Sequence, residues 1–185
     1  MRNVIRCLLA CGSLFAISAG AANLIPNPDF DQGLTDWNTI TPGNGTAVLD
    51  ESTGYPTAPS VHLVSDPAAA DVNVSSACVS VDDSSTQDLY VNARINAGFA
   101  IATVGFFSDA ACAEAETSVS SDPIAANGGA WSTFSFLGIA PPNGTQSAEI
   151  ILTATMGTGT VGGDVGFDHI EFGPSGTVPD GPNSM

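Results

Sequence analysis

Lysine is absent from this 185-residue sequence, and arginine occurs only as Arg2, Arg6 and Arg94. Histidine is confined to His62 and His169. Against these few bases stand 19 acidic residues, for a formal net charge of −16 at pH 7. Such a surface repels nucleic-acid phosphates and anionic membrane surfaces, which excludes both as partners. It suits a cation-rich medium, divalent ions or neutral partners. Two histidines at unrelated spacings give zinc no recognisable ligand set.

Helical signals are missing too. Twenty glycines and 12 prolines are spread along the chain, and no stretch of ten or more residues places apolar side chains at three-four spacing. Catalytic motifs are also lacking. There is no nucleophile elbow and no His-x-x-Glu-His arrangement. The glycine-rich run 157–163 lies between two expected strands, with no helix N-terminus to receive a phosphate. Nothing selects a working pair from the many carboxylates, and the sequence reads as non-enzymatic.

The first residues have a different character. Arg2 and Arg6 precede an uncharged apolar run from Cys7 to Ala19, which the small residues Ser18-Ala19-Gly20-Ala21-Ala22 close. That order is the order of a cleavable secretion signal, residues 1–21, with a cut before Ala22 or Asn23. The run is shorter than the ~20 residues that span a bilayer. A lipid attachment at Cys11 would leave almost no apolar stretch ahead of the cut. Export to the extracellular space, or to a periplasm, is therefore expected. The remaining roughly 160 residues suffice for one domain with a real core. They keep Arg94 alone against all 19 acids, a formal charge of −18. They also keep only Cys78 and Cys112 of the four cysteines. In an oxidising compartment these are expected to form one disulfide. The loop it closes is worth on the order of 3–4 kcal/mol.

Short β-rich runs fill the rest, at 46–49, 60–65, 72–81, 88–96, 100–108, 131–137, 148–156 and 165–172. Turn clusters such as Pro42-Gly43-Asn44-Gly45 and Pro141-Pro142-Asn143-Gly144 separate them. Eight or so strands without helices predict an all-β, two-sheet sandwich or jelly roll. Alternation is cleanest in two runs. Leu89, Val91, Ala93 and Ile95 share one face of the first, and Tyr90, Asn92, Arg94 and Asn96 the other. Ala148, Ile150, Leu152, Ala154 and Met156 share one face of the second, and Glu149, Ile151, Thr153 and Thr155 the other. The first face of each belongs in the core. The Pro/Gly/Ser-rich end, 174–185, reads as a disordered tail.

Three stretches carry a resemblance. Asn23-Leu24-Ile25-Pro26-Asn27-Pro28-Asp29-Phe30 through Trp37 resembles the opening of the CenC-type carbohydrate-binding modules (the family 4/9/16/22 type). Gly129-Ala130-Trp131-Ser132 through Ala140-Pro141 resembles their penultimate hairpin region. Gly166-Phe167-Asp168-His169-Ile170-Glu171-Phe172 resembles their closing strand. The resemblance implies a galactose-binding-like jelly-roll β-sandwich at 22–173. It also implies a secreted, non-catalytic module that recognises a neutral glycan or polysaccharide. A structural or adhesive extracellular sandwich with no sugar ligand fits the same residues.

The resemblance also implies a structural Ca2+ joining the first strand to the last. Carried over, it points to Asp168 with Asp29 and Asp31, completed by backbone carbonyls within 52–59. If the opening segment is extended, Asp29 and Asp31 point the same way while Phe30 enters the core. Hard cations of this kind take six to eight oxygen ligands. A ligand face is expected from Tyr90, Asn92, Arg94, Glu149 and Thr153, which project from the non-core side of two strands. An Arg94–Glu149 cross-strand pair is the structural alternative. Trp37 and Trp131 are expected to pack. Tyr55, Tyr90, Phe99 and one of Phe106 and Phe107 remain as sugar platforms.

Overall fold

The computed structural model describes residues 23–67, 71–157 and 162–178. The expected secretion signal lies outside the described residues, as do 158–161 of the glycine-rich run and 179–185 of the expected tail.

The described residues form strands and no helix. In chain order these are β1 (Trp37–Ile40), β2 (Thr46–Asp50), β3 (Ser60–Val64), β4 (Val72–Ser76), β5 (Val79–Ser80) and β6 (Gln87–Ala97). Then come β7 (Phe99–Phe107), β8 (Ala115–Ser120), β9 (Ile124–Ala125), β10 (Trp131–Ile139), β11 (Ser147–Thr155) and β12 (Asp164–Pro174). One sheet has the order β1-β4-β11-β7-β8, with β5 on β11 and β9 on β7. The other has the order β10-β6-β12-β3-β2. Every pairing is antiparallel. The expected all-β sandwich is what forms.

The core is built by the two alternating runs. Leu89, Val91, Ala93 and Ile95 of β6 and Ala148, Ile150, Leu152 and Ala154 of β11 are all buried, and one set comes from each sheet. Phe30, Phe106, Phe167 and Phe172 fill the space between the layers. Burying each such side chain stabilises the fold by about 1.5–3 kcal/mol. Phe106 and Phe107 are both buried, so neither serves as a sugar platform. β6 passes to β7, and thus to the opposite sheet, through Gly98 alone. Its φ is +73°, and a Cβ there would sit 2.3 Å from the Thr155 carbonyl oxygen. Only glycine fits that corner.

The opening segment is not extended. It is a series of turns with φ of +49° at Asn27 and +53° at Phe30. Asn27 organises it: its Nδ2 donates to the carbonyls of Gly33 and Thr35 at 2.8 and 2.9 Å. Its own carbonyl accepts from Trp37 Nε1 at 3.1 Å. Phe30 is fully buried against Trp37, with ring centroids 5.0 Å apart. The segment docks on β12 through Leu24 N–H to the Phe172 carbonyl (2.8 Å) and Ile170 N–H to the Pro28 carbonyl (3.0 Å).

Order continues past the expected boundary at Gly173. Asp88 accepts from the Ser175 hydroxyl at 2.7 Å and from Gly176 N–H at 3.1 Å, and Val178 is buried. The described part of the tail, 174–178, is thus tied to the sandwich by hydrogen bonds and by Val178, with 175–177 exposed. The disulfide Cys78–Cys112 is formed, with Cα atoms 5.8 Å apart.

Candidate functional site

The outer face of the five-stranded sheet gathers side chains that the inner face cannot hold. Strand register lines up one transverse row across it: Trp131, Arg94, Gly166, His62 and Val48, one from each strand. The row behind it holds Thr133, Asn92 and Asp168, and the next Ser135, Tyr90 and Glu171.

Arg94 is the centre of the first row. Its guanidinium lies 5.6 Å from the Trp131 ring centroid, within cation–π range. Its Nη2 meets Asp50 Oδ2 at 3.6 Å, and its Nε is buried with no hydrogen-bond partner. The Ser52 hydroxyl, then the Thr53 hydroxyl and the Ser52 N–H, hold the Asp50 carboxyl far below the usual carboxylate range, and Arg94 adds to this. Gly166 keeps the floor of the row flat. A Cβ there would lie 3.2 Å from Trp131 Cη2 and 3.6 Å from Arg94 Nε, so the indole lies over the space where a side chain would stand. Tyr55, half-buried on the β2–β3 connection, brings a second ring 6.5 Å from Trp131 and tilted by 43°. His62 Nε2 bonds Asp164 Oδ1 at 2.8 Å, and Asn96 Nδ2 donates to the same oxygen at 2.9 Å.

The expected ligand residues divide. Arg94 is on this face. Tyr90 and Asn92 are on it too, but they are buried. Asn92 is fully engaged, accepting from the Thr133 hydroxyl at 2.6 Å and donating to the His169 carbonyl at 3.4 Å. Glu149 and Thr153 belong to β11, in the other sheet. An Arg94–Glu149 cross-strand pair is therefore ruled out, because β6 and β11 do not share a sheet; the partner of Arg94 is Asp50. Trp131, expected as core or core-edge, is a half-buried member of the outer face. Strand parity carried this signal. Phe134 and Phe136 pack on the core, so Trp131, Thr133 and Ser135 must face outward.

The expected metal residues divide as well. A bulge in β12 between Asp168 and Ile170, with φ of +48° at His169, turns both Asp168 and His169 toward the opening segment. Asp168 is 1% exposed, and its carboxylate accepts from His169 N–H at 2.8 Å and from Tyr55 N–H. Burial pushes its pKa up to about 7, and the nearby Asp29 charge adds to the rise. Asp29 Oδ1 meets His169 Nδ1 at 2.6 Å, which raises the imidazole pKa. His169 Nε2 is 3.4 Å from Glu171 Oε1. Asp31 stands apart, exposed to solvent, because the turns at Phe30 and beyond carry it away. Asp29 and Asp168 thus converge on one seam, and Asp31 does not. Among the described residues no three His, Cys, Asp or Glu side chains form a metal-binding group by themselves. Any calcium at this seam would need carbonyl oxygens as well.

Compared by sequence, the chain matches no protein-family model and no curated protein. Compared by structure, it is similar to the enzymatically active domain of tailspike protein 4 of bacteriophage CBA120, with a TM-score of 0.63 and 16% identity. That match covers 82% of this chain but only 21% of the tailspike chain. It is similar to a family 61 carbohydrate-binding module in complex with β-1,4-galactotriose, with a TM-score of 0.54 and 13% identity over 83% of this chain and 99% of that one. It is also similar to the CBM22-2 xylan-binding domain of Xyn10C from Paenibacillus barcinonensis, with a TM-score of 0.53 and 15% identity over 80% and 98%. At such identities the likeness is one of fold. The chain has the β-sandwich fold found in carbohydrate-binding modules.

Proposed function

We propose that this protein is a secreted, non-catalytic module that binds a neutral glycan on the outer face of its five-stranded sheet. The observation that carries the reading is the Tyr55–Trp131 ring pair beside Arg94, over the flat floor at Gly166. Pyranose rings stack on flat aromatic surface through their C–H faces, and their hydroxyls need planar polar groups at the rim. Here the rings supply the platform. The exposed part of the Arg94 guanidinium donates to a sugar oxygen, and Asp50, fixed by its serine and threonine hydroxyls, accepts a sugar hydroxyl. Tyr90 and Asn92 hold this face from within. Glu149 and Thr153 take no part. A neutral ligand suits the surrounding acidity, because a uronate would approach Asp50 and Asp164 as well as Arg94.

Calcium belongs to the same reading as a structural ion. Asp168 and Asp29 would hold it, with carbonyl oxygens from 52–59 beside them and with Asp31 outside the set. The fit rests on a carboxylate buried to 1% exposure with a second acid next to it, an arrangement that a divalent cation neutralises. Bound there, the ion ties the opening segment to β12 and fixes the loop that carries Tyr55.

The competing reading is a structural or adhesive extracellular sandwich with no sugar ligand. Affinity gel electrophoresis on a panel of neutral polysaccharides separates the two. Retardation of the wild type that is lost in Tyr55→Ala and Trp131→Ala supports the glycan reading. Unretarded migration on every polysaccharide sinks it.

A further inference from the structure

The two sheets do not close along one flank. β10 ends one sheet there, and β8 with β9 ends the other, leaving a cavity of about 500 Å³ between them. Its floor is the core itself: Leu89 and Val91 of β6 and Phe167 of β12, each no more than 3% exposed. The inward side chains of β10, Phe134 and Phe136, form one wall, and Val119 and Ile124 form the other. Polar groups collect at the solvent side, where Ser120 and Asp122 are exposed and Ser121 is half-buried. Two of these are already engaged. The Ser121 hydroxyl accepts from Ala102 N–H at 3.2 Å and donates to the Asp122 carbonyl at 3.0 Å, and Ser120 pairs with Thr103 at 2.8 Å.

We propose that this slot is a binding site for a small, neutral amphiphile, its apolar body in the slot and its hydroxyl end at the serine rim. The volume falls within the range of small-molecule sites. The phenyl and aliphatic walls offer water no hydrogen bonds, so covering them with an apolar occupant is favourable. Charge selects the class. The cavity lining contains no cation, and its one acid, Asp122, sits at the mouth of a chain carrying −16. Anionic amphiphiles are therefore repelled and neutral ones admitted. The site is independent of the glycan face, because Phe134 and Phe136 lie on the side of β10 opposite to Trp131.

Titration with the neutral dye Nile red, followed by displacement with 1-decanol and with decanoate, tests this on the whole protein. Saturable, one-to-one fluorescence enhancement is expected, with 1-decanol displacing the dye at least ~10-fold more effectively than decanoate, a difference of 1.4 kcal/mol. Val119→Trp fills the slot from the exposed edge strand β8, where folding tolerates the change, and Ala102→Leu fills it from β7. Each is expected to weaken dye binding ~10-fold or more while keeping a cooperative melt. Absence of saturable binding by the wild type, or undiminished binding by a folded Val119→Trp protein, overturns the proposal. So does decanoate competing as well as decanol. A dimer in sedimentation velocity that excludes the dye also overturns it, by assigning the slot to a second copy.

Discussion

At the scale of single residues, the outer face depends on what is missing at Gly166. Its backbone is unstrained, so alanine there costs little in folding, but the new Cβ comes within 3.2 Å of Trp131 Cη2. The indole must lift away from the floor. Gly166→Ala is therefore expected to weaken glycan binding several-fold with little change in Tm, which isothermal titration and a thermal melt together check. Truncating Arg94 acts differently. It removes the donor at the rim and leaves Asp50 without its cation. Arg94→Ala is expected to cost ~10-fold or more in affinity. Glu149→Ala, on the other sheet, is expected to bind within about twofold of the wild type.

At the scale of elements, Asp88 holds two strand ends at once. Gly138 N–H at the β10 irregularity donates to its Oδ1 at 2.8 Å, and Ser175 and Gly176 bind it from the end of β12. Burial alone would raise its pKa, but these three donors bring it below the ordinary carboxylate value. A depressed folded pKa contributes stability that is present above 3.8 and lost as pH falls through the lower folded value. Asp88→Asn is expected to lower Tm by ~3–6 °C near neutral pH, with the gap closing in acid; an equal gap at pH 2.5 would contradict the assignment. The disulfide acts on the unfolded chain. Reduction is expected to remove on the order of 3–4 kcal/mol and to lower Tm by ~10 °C, read by calorimetry with and without reductant.

Elements are also where the sequence was most and least readable. β6 and β11 alternate cleanly, and their core faces are buried as expected except at Met156, which lies just past the end of β11 at Thr155 and is exposed. β8 was missed because Ala115-Glu116-Thr117-Ser118-Val119-Ser120 is an exposed edge strand with almost no apolar side to display. β1 and β9 were too short to show a period. The condition that would align Asp29 with Asp31, an extended opening segment, is not met, because its turns depend on left-handed Asn27 and Phe30, residues that do not announce that conformation. Asp31 therefore parts from Asp29 and faces solvent. Assigning Glu149 and Thr153 to the Arg94 face failed for a different reason. Alternation gives the face of a strand but not the sheet to which the strand belongs.

At the scale of the whole molecule, the sandwich separates its tasks. One sheet offers a polar and aromatic outer face, the seam of β12 with the opening segment gathers buried acid, and one flank leaves an apolar slot. If calcium neutralises the seam, removing it exposes the repulsion between Asp29 and Asp168. Chelation is then expected to lower the wild-type Tm by several degrees and to leave Asp168→Ala unmoved. A wild-type melt indifferent to chelator would remove the ion from the account. The central claim is the glycan face itself. Its most direct test is isothermal titration of the wild type, Trp131→Ala and Glu149→Ala with the same neutral oligosaccharide, chosen from those that retard the protein in gels. The account predicts saturable binding by the wild type and by Glu149→Ala, with at least a ~10-fold loss in Trp131→Ala at unchanged Tm. Undiminished binding by a folded Trp131→Ala protein would contradict it.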